Sequence, residues 1–474
     1  MKGGLLTQKR TRIIRIINFD NFFIPPEDGE FWQKCLRLQL RELWRVRAGD
    51  VIVVYGHVDQ HYLDYVMSMT GTCFKQINWD QGDGELLDSV GGIRGDEVFI
   101  FHPRQLLPGR LSLIDSILDD DKLLTLLRMV RAAGKFDLSP LVQHPALFKL
   151  SELTNIDPEP GCAPDLVETG MVQNLFNSKV WGLRLASDVS VAIPAGCVVQ
   201  GKGNIMAAAS ARLVKGVSCM LRLDLAAGGL GNKLICPSDL DILDQLIEEL
   251  EPAEQWDRQS VLVEELIELE SCGPDNRING FSVKFRIEEH LSIEKMPFTV
   301  VGRIVKNGES CGAIAPYAPP QSADLDLLVR RLAIALHLEG YRGEADIDLG
   351  LTTDGSWIFF ELNARRVATE VQEHIGRTLL GEQPHVTLSD EQLEVGEIYF
   401  NQLVIWTLAW PKFVPGSRVV ITIPPESGKA AIVVVADDSD TLRRAHKHLL
   451  SLIAGAKREA ARDLWAGKYV PSTL

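Results

Sequence analysis

Apolar residues follow two alternating patterns over about the first 150 positions of the chain. Short apolar runs, in TRIIRIINF, VIVVYG and EVFIFH, are typical of buried strands. Between them, residues 31–44 and 61–69 carry apolar side chains at the three- and four-residue spacing of helices. Because strands alternate with helices, this region is predicted to form a parallel, doubly wound α/β sheet.

The pattern changes after residue 151. Proline and glycine cluster in PEPGCAP, which indicates a joint between domains. Farther along, residues 281–317 alternate apolar and polar side chains, as in antiparallel strands, and residues 323–339 return to helical spacing. A chain of 474 residues is also too long for a single hydrophobic core, so several domains are expected.

The segment from 344 to 366, EADIDLGLTTDGSWIFFELNARR, predicts a β-hairpin. Asp354 and Gly355 tolerate the positive φ of a two-residue type I′ turn, which would pair Thr353 with Ser356. Side chains alternate between the two faces of a strand, so one face of this hairpin is apolar and the other is acidic. Counting back from the turn gives three pairs on the acidic face: Asp348 with Glu361, Asp346 with Asn363, and Glu344 with Arg365.

Carboxylates that face each other across paired strands repel unless a positive charge lies between them. Mg²⁺ would supply that charge, because it binds carboxylate oxygens and completes its shell with water and substrate phosphate. Asp348, Glu361 and Asn363 offer three such oxygens, and the adjacent Arg365 and Arg366 suit a phosphate or carboxylate. The alternative is an acidic face that is simply solvated.

The hairpin resembles the metal-binding strand pair of the ATP-grasp superfamily, whose pattern is Asp, then Asp-Gly, then Glu-x-Asn-x-Arg. The matching positions are Asp348, Asp354, Gly355, Glu361, Asn363 and Arg365. The resemblance implies ATP and two Mg²⁺ ions as cofactors, with Mn²⁺ as a substitute ion. It also implies that a substrate carboxylate is activated as an acyl phosphate, with Arg365 as a catalytic residue that stabilises the acyl phosphate and its adduct.

The same resemblance assigns phosphate-binding residues upstream. Lys179, within a helix predicted over residues 171–186, resembles the first phosphate-binding lysine of the superfamily. Arg222 stands where a second lysine is expected, so it is predicted to bind phosphate and assist catalysis, although its planar fork differs from a compact ammonium. A loop of small residues follows, and glycines let backbone N–H groups approach an anion closely. It resembles the glycine-rich lid, with predicted contacts at Gly228, Gly229, Gly231 and Asn232.

The segment SVLVEELIELE resembles the hinge that holds adenine between two ATP-grasp lobes. By position, Glu264 would accept a hydrogen bond from the adenine amino group. The backbone near Glu265 and Ile267 would contact the ring edge, and either Glu268 or Glu270 would bind the ribose hydroxyls. Without the resemblance, this segment is typical of an ordinary half-exposed strand.

Composition and charge indicate which kinds of partner the protein does not bind. The net charge is −15 and no basic stripe occurs, which argues against a nucleic acid. No apolar run has the length of a membrane span, and the N-terminal residues have no apolar core of signal-peptide length, so a cytoplasmic protein without a membrane partner is predicted. The scattered cysteines are interpreted as reduced thiols.

The resemblance implies an α/β chain with an ATP-grasp fold, α+β within its lobes. A Rossmann-like parallel α/β domain (1–160) precedes the small lobe with the lid (161–262) and the large lobe with the metal hairpin (263–390). A small α/β domain (391–474) follows. The architecture, the NSK helix and ELNARR most resemble carboxylate–amine ligases, in particular the peptide ligases of pheganomycin biosynthesis.

That resemblance implies a ligase that joins a small-molecule or peptide carboxylate to an amine and releases ADP and phosphate. A homodimer is compatible with it. Two alternatives remain at this point. One is another ATP-grasp activity, namely a thiol ligase, a carboxylase component or a kinase. The other is a non-catalytic ATP-binding regulatory module.

Overall fold

A computed structural model describes most of the chain. The described residues are 11–18, 29–77, 79, 97–104, 112–159, 161–162, 164–226, 231–250, 253–273, 277–290, 296–306, 309–320, 322–367, 369–381 and 383–465. They divide into two compact units, with the boundary between Gly170 and Met171. The predicted lid residues Gly228 and Gly229 lie outside the described residues.

The first unit contains a six-stranded sheet in which every pair of neighbours is parallel. Strand Val51–Val53 is apolar and fully buried, and its neighbour Glu97–Phe101 is buried except at Glu97, as expected for a sheet covered on both faces. This arrangement confirms the predicted doubly wound parallel sheet. In chain order the strands are β1 (Arg12–Ile16), β2 (Val51–Val53), β3 (Cys73–Gln76), β4 (Glu97–Phe101), β5 (Phe136–Pro140) and β6 (Asp157–Pro158), arranged β3-β4-β2-β1-β5-β6.

Helices connect these strands. They are α1 (Gly29–Glu42), α2 (Gln60–Thr70), α3 (Leu113–Leu118), α4 (Asp121–Ala133), α5 (Ala146–Thr154) and α6 (Pro164–Glu168), with a short 3₁₀ helix at Leu43–Arg45. Side-chain caps explain where two of them begin. Ser112 accepts from the N–H of Ile114 before α3, and Asp120 accepts from Leu123 before α4.

The second unit begins with a four-stranded antiparallel sheet. Its strands are β7 (Gly196–Gln200), β8 (Cys219–Leu223), β9 (Asn232–Ile235) and β10 (Ser260–Glu265), in the order β7-β10-β8-β9. The accompanying helices are α7 (Met171–Asn174), α8 (Lys179–Asp188), α9 (Lys202–Leu213), α10 (Leu243–Glu248) and α11 (Ala253–Arg258), with a 3₁₀ helix at Pro237–Ile242. Ile205 and Ala209 on α9 pack with Leu221 and Val261 in one apolar core.

An eight-stranded antiparallel sheet forms the rest of the unit. Its strands are β11 (Gly280–Ile287), β12 (Phe298–Lys306), β13 (Glu309–Ala315), β14 (Gly343–Leu351), β15 (Trp357–Asn363), β16 (Val386–Glu394), β17 (Ser417–Glu426) and β18 (Lys429–Ala436), in the order β15-β14-β11-β12-β13-β16-β18-β17. The helices are α12 (Ser322–Leu338), α13 (Thr369–Leu380), α14 (Phe400–Phe413) and α15 (Ser439–Trp465). The sheet continues through β16, across the position where the sequence suggests a domain boundary. Among the described helices, none combines the length and the apolar character needed to cross a membrane.

Strands β14 and β15 form the predicted hairpin, and two of its predicted pairs are confirmed. Asp348 lies opposite Glu361, and Asp346 lies opposite Asn363. The third predicted pair, Glu344 with Arg365, is wrong, because the ladder between these strands ends at Asn363.

The predicted two-residue turn is also wrong. Thr352 donates its N–H to the carbonyl of Ser356, so the loop holds three residues, and Gly355 adopts a φ of 85°. A type I turn followed by a left-handed residue is a common three-residue loop. The extra loop residue is offset by a β-bulge at Phe360, because Asp348 pairs with Glu361 while Leu349 pairs with Phe359. The two deviations cancel, which leaves the acidic pairs as predicted.

Candidate active site

The acidic face of the hairpin is partly closed to solvent. Asp346 and Asn363 are buried, and the hydroxyl of Ser282 donates to Asp346 at 2.5 Å. Burial and the charge of the neighbouring Asp348 raise the pKa of Asp346 to about 7. Burial therefore disfavours the negative charge of Asp346, and the nearby carboxylate of Asp348 adds to this effect.

Asp348 has two different oxygen environments. Its Oδ2 lies 2.5 Å from Nη1 of Arg303, whereas its Oδ1 is buried and has no hydrogen-bond partner within the described residues. A buried carboxylate oxygen without a partner is uncommon and fits a cation that would bind there. The described residues hold no group of three His, Cys, Asp or Glu side chains in metal-binding geometry. The predicted set instead combines two carboxylates with the amide of Asn363, so the magnesium site stays a prediction that these residues fit.

Lys179 connects the hairpin to the small sheet. It begins α8, is buried, and its Nζ lies 3.6 Å from Oε1 of Glu361. The same ammonium donates to the carbonyls of Ala226 and Asp224, at the start of the small-residue loop. Burial lowers the pKa of Lys179, and the charge of Glu361 opposes that shift. The structure thus brings one predicted phosphate ligand next to a predicted metal ligand.

The helix start that carries Lys179 is fixed by two polar side chains. The hydroxyl of Ser178 accepts from the N–H of Trp181 at 3.1 Å and donates to the carboxylate of Asp224 at 2.8 Å. Asp224 also accepts from the N–H of Val180 at 2.9 Å. A carboxylate at a helix N-terminus is favourable, because the first N–H groups of the helix lack internal partners. Sequence analysis missed Asp224, although a lone acid directly after an apolar strand was a visible signal.

Arg222 and Glu264 contact each other. Nε of Arg222 donates to Oε2 at 2.6 Å and Nη2 donates to Oε1 at 3.0 Å, so both carboxylate oxygens are engaged. Nη2 also donates to the carbonyl of the bulge residue Phe360 at 3.1 Å. The structure therefore joins a predicted phosphate ligand to the predicted adenine acceptor, and the nucleotide contacts of both side chains stay predictions.

The other predicted nucleotide contacts lie around the same sheet. Asn232 begins β9 opposite Arg222, and Gly231 precedes it with a φ of 76°. The N–H of Glu265 donates to the carbonyl of Ala195 at 2.8 Å, so this backbone donor is already used within the unit. The side chain of Ile267 is partly exposed, and the carboxylates of Glu268 and Glu270 are exposed.

The catalytic candidate Arg365 follows β15 directly. Burial lowers its pKa, and the charges of Glu361 and Asp346 oppose the shift, which places this guanidinium in the field of the acidic face. Three further cations lie on this face in the neighbouring strands β11 and β12: Lys284, Arg286 and Arg303. Lys284 pairs with Glu373 on α13 at 3.1 Å, and Arg286 pairs with Glu344 at 2.7 Å.

Arg303 was missed by sequence analysis. Its only local signal is a single charged residue inside the apolar strand FTVVGRIV. That signal does not identify a partner, because Asp348 lies two strands away in the sheet and 45 positions away in the sequence.

No family model and no curated protein matches the sequence. Solved structures of the same fold do match. N5-carboxyaminoimidazole ribonucleotide synthetase, solved as its ADP complex, is 11% identical, with a TM-score of 0.51 over 94% of this chain and 98% of that one. Biotin carboxylase from Campylobacter jejuni is 12% identical, with a TM-score of 0.51 over 91% and 89%.

L-amino acid ligase from Bacillus licheniformis is likewise 12% identical, with a TM-score of 0.50 over 94% of this chain and 98% of that one. At these identities the similarity concerns the fold. The three proteins are ATP-grasp enzymes, and each is covered along most of its length. The chain therefore has the ATP-grasp fold, with a parallel α/β unit before it and antiparallel sheets within it.

Proposed function

We propose that the protein is an ATP-dependent carboxylate–amine ligase that forms an amide bond through an acyl phosphate and releases ADP and phosphate. The observation that carries the proposal is the cross-strand pair Asp348 and Glu361, beside Asn363, with Lys179 at 3.6 Å from Glu361. Facing carboxylates of this kind attract a cation, and the adjacent lysine suits the phosphates that accompany Mg²⁺.

Each residue has a role that follows from its position. Asp348, Glu361 and Asn363 would hold Mg²⁺, which, when bound, neutralises charge on a phosphoryl group in transfer. Lys179 would bind a phosphate oxygen from its fixed place at the start of α8, and the N–H groups of the loop at Gly228, Gly229 and Gly231 would cover the phosphates. Arg365 would orient the carboxylate and stabilise negative charge on it as it reacts.

The substrates are proposed from chemistry and from one comparison. L-amino acid ligase, a protein of the same fold, acts by its name on amino acids. We extend that class to this chain as a small-molecule or peptide carboxylate and an amine, in line with the resemblance to peptide ligases of pheganomycin biosynthesis. No nucleophilic serine or cysteine is required, because the amine itself attacks the activated carboxylate.

The test is release of phosphate from Mg-ATP across a panel of amino acids, short peptides and bicarbonate, with and without hydroxylamine. The expected result is carboxylate-dependent release that yields a hydroxamate. Glu361→Gln should lower the rate at least about 100-fold, because it removes a charged metal ligand. Glu344→Gln is the matched control, since this carboxylate lies on the same strand face but outside the proposed metal set, and it should retain most activity.

Other outcomes separate the alternatives. Release driven by bicarbonate alone would favour a carboxylase component over an amide ligase. Tight ATP binding without turnover by any member of the panel would favour a regulatory module. Failure to bind ATP at all would contradict the proposal entirely.

A further inference from the structure

Arg303 reaches Asp348 across an intervening strand. Arg303 on β12 lies opposite Gly280 of β11, and Asp348 on β14 lies opposite Ser282 of the same strand. Since strands are spaced about 4.8 Å apart, the guanidinium must pass over β11 to make its 2.5 Å contact with Oδ2. Gly280 has no side chain to block it and Ser282 has a small one, so the sequence of β11 leaves a passage.

The resulting ion pair is open on one side. The side chains of Arg303 and Asp348 are 23% and 18% exposed, and a single nitrogen makes the contact. No other hydrogen bond or ion pair of this guanidinium lies within the described part of the chain. The other oxygen of Asp348 is buried without a partner, so the carboxylate still has a position to offer a cation.

A divalent cation bound at Asp348 would change the electrostatic environment of Arg303. The ion would bring two positive charges within a few ångströms of the guanidinium, and like charges at such a distance repel strongly in a partly buried site. The ion would therefore weaken the attraction between Arg303 and Asp348. A guanidinium on this face suits a planar carboxylate or an acyl phosphate, because its fork can donate two parallel hydrogen bonds.

The neighbouring cations Lys284 and Arg286 differ from Arg303 in the acids that they pair with. Lys284 is paired with Glu373 and Arg286 with Glu344, and neither acid belongs to the proposed metal set. Binding of a cation at the hairpin therefore leaves those two pairs in place. By contrast, Arg303 contacts Asp348, which belongs to that set.

We propose that Arg303 is an exchangeable substrate-binding residue. It holds Asp348 in the metal-free protein and binds the substrate carboxylate once metal and nucleotide occupy the hairpin. The inference rests on the proposed function, since it assigns Arg303 to the carboxylate of that reaction. It predicts ordered binding, in which the metal-nucleotide complex binds before the carboxylate.

The test measures metal and carboxylate separately in Arg303→Ala. Binding of Mn²⁺ alone, followed by the electron paramagnetic resonance signal of the free ion, should become about 3- to 10-fold tighter, because a competing cation has been removed. The KM for the best carboxylate of the panel should rise about 10- to 100-fold, because a charged hydrogen-bond partner has been lost. If Arg303 had only a structural role, its loss would weaken both Mn²⁺ binding and carboxylate binding. Tighter Mn²⁺ binding together with a higher carboxylate KM therefore identifies the exchange.

Two variants complete the design. Arg286→Ala removes a cation from the same strand face and should leave Mn²⁺ binding unchanged. Arg303→Lys keeps the charge but not the fork, so Mn²⁺ binding should stay within about 2-fold of wild type while the KM still rises. If Arg303→Ala does not fold, the KM of Arg303→Lys tests the substrate role of Arg303 in its place.

Three results would overturn the inference: weaker Mn²⁺ binding in Arg303→Ala, an unchanged carboxylate KM, or carboxylate binding that does not depend on metal and nucleotide. If wild type shows no carboxylate-dependent turnover, the proposed function fails together with the substrate role of Arg303. The Mn²⁺ measurement then still shows whether Arg303 competes with the ion, so the two failures are distinguishable.

Discussion

Two arginine–carboxylate pairs in the second unit differ in how far they are closed to solvent. Arg222 and Glu264 share two hydrogen bonds, of 2.6 and 3.0 Å, between side chains that are only 7% and 4% exposed. Arg303 and Asp348 share one contact of 2.5 Å and are 23% and 18% exposed. A closed, bidentate pair holds its geometry, whereas an open pair that includes a metal ligand can change partners.

Because of this difference, we interpret the two arginines as having different roles. Arg222 links three strands, because it lies on β8, binds Glu264 on β10 and reaches the carbonyl of Phe360 on β15. It thereby connects the small sheet to the bulge of the metal hairpin, so we interpret it first as a positioning residue. Within the part of the chain that the structure describes, Arg303 makes no such connection beyond Asp348, so it can bind a ligand.

The largest expected effect is on the closed pair. Arg222→Ala leaves Glu264 buried without its counter-ion, so the free energy of unfolding of the second unit should fall by about 3 to 5 kcal/mol. Urea unfolding followed by circular dichroism measures the change. The double variant Arg222→Met with Glu264→Leu should recover much of the loss, because a well-packed apolar pair carries no buried charge. A loss below about 1 kcal/mol in Arg222→Ala would show that the pair is not closed.

The next effect depends on pH and concerns Asp346, beside the open pair. Its pKa is about 7 in the folded protein against an ordinary value of 3.8, so the folded state binds the proton more tightly. Stability from this group is present at low pH and is lost as pH rises toward 7. The expected loss is about 2 kcal/mol between pH 5 and pH 7, measured by urea unfolding in EDTA. Asp346→Asn should remove this part of the pH dependence; an unchanged profile would contradict it.

The smallest effect is expected at the open pair itself. Because Arg303 and Asp348 are partly solvated, Arg303→Ala should change the free energy of unfolding of the metal-free protein by no more than about 1 kcal/mol. Arg286→Ala, which breaks a similarly exposed pair, should do the same. The measurement is again urea unfolding in EDTA. If Arg303→Ala lowered the free energy of unfolding about as much as Arg222→Ala, the two pairs would not differ in how far they are closed to solvent.

The sequence predicted the hairpin for reasons that were only partly correct. Counting from a two-residue turn gives the acidic pairs, whereas the structure has a three-residue loop and a bulge at Phe360. Local patterns indicate strands and acidic faces well, because they depend on alternation along one segment. They do not show the bulge at Phe360, because a bulge depends on how two strands pair and not on the alternation within either strand.

Long-range partners were the least predictable part of the site. The parallel sheet followed from alternating apolar runs and helices, and Lys179 followed from a resemblance. By contrast, the pairing of Arg222 with Glu264 and of Arg303 with Asp348 depends on strand order in two sheets. Strand order of antiparallel sheets is set by the packing of the whole unit, and a single sequence does not contain it in readable form.

The central claim is that the hairpin site activates a carboxylate as an acyl phosphate. The most direct measurement follows ¹⁸O from a labelled carboxylate of the panel into the phosphate released from Mg-ATP, by mass spectrometry. We expect one ¹⁸O atom in each phosphate formed during carboxylate-dependent turnover, and no turnover in Glu361→Gln. Phosphate that forms at the same rate without label would contradict the account, because the carboxylate oxygen would then never have been bonded to phosphorus.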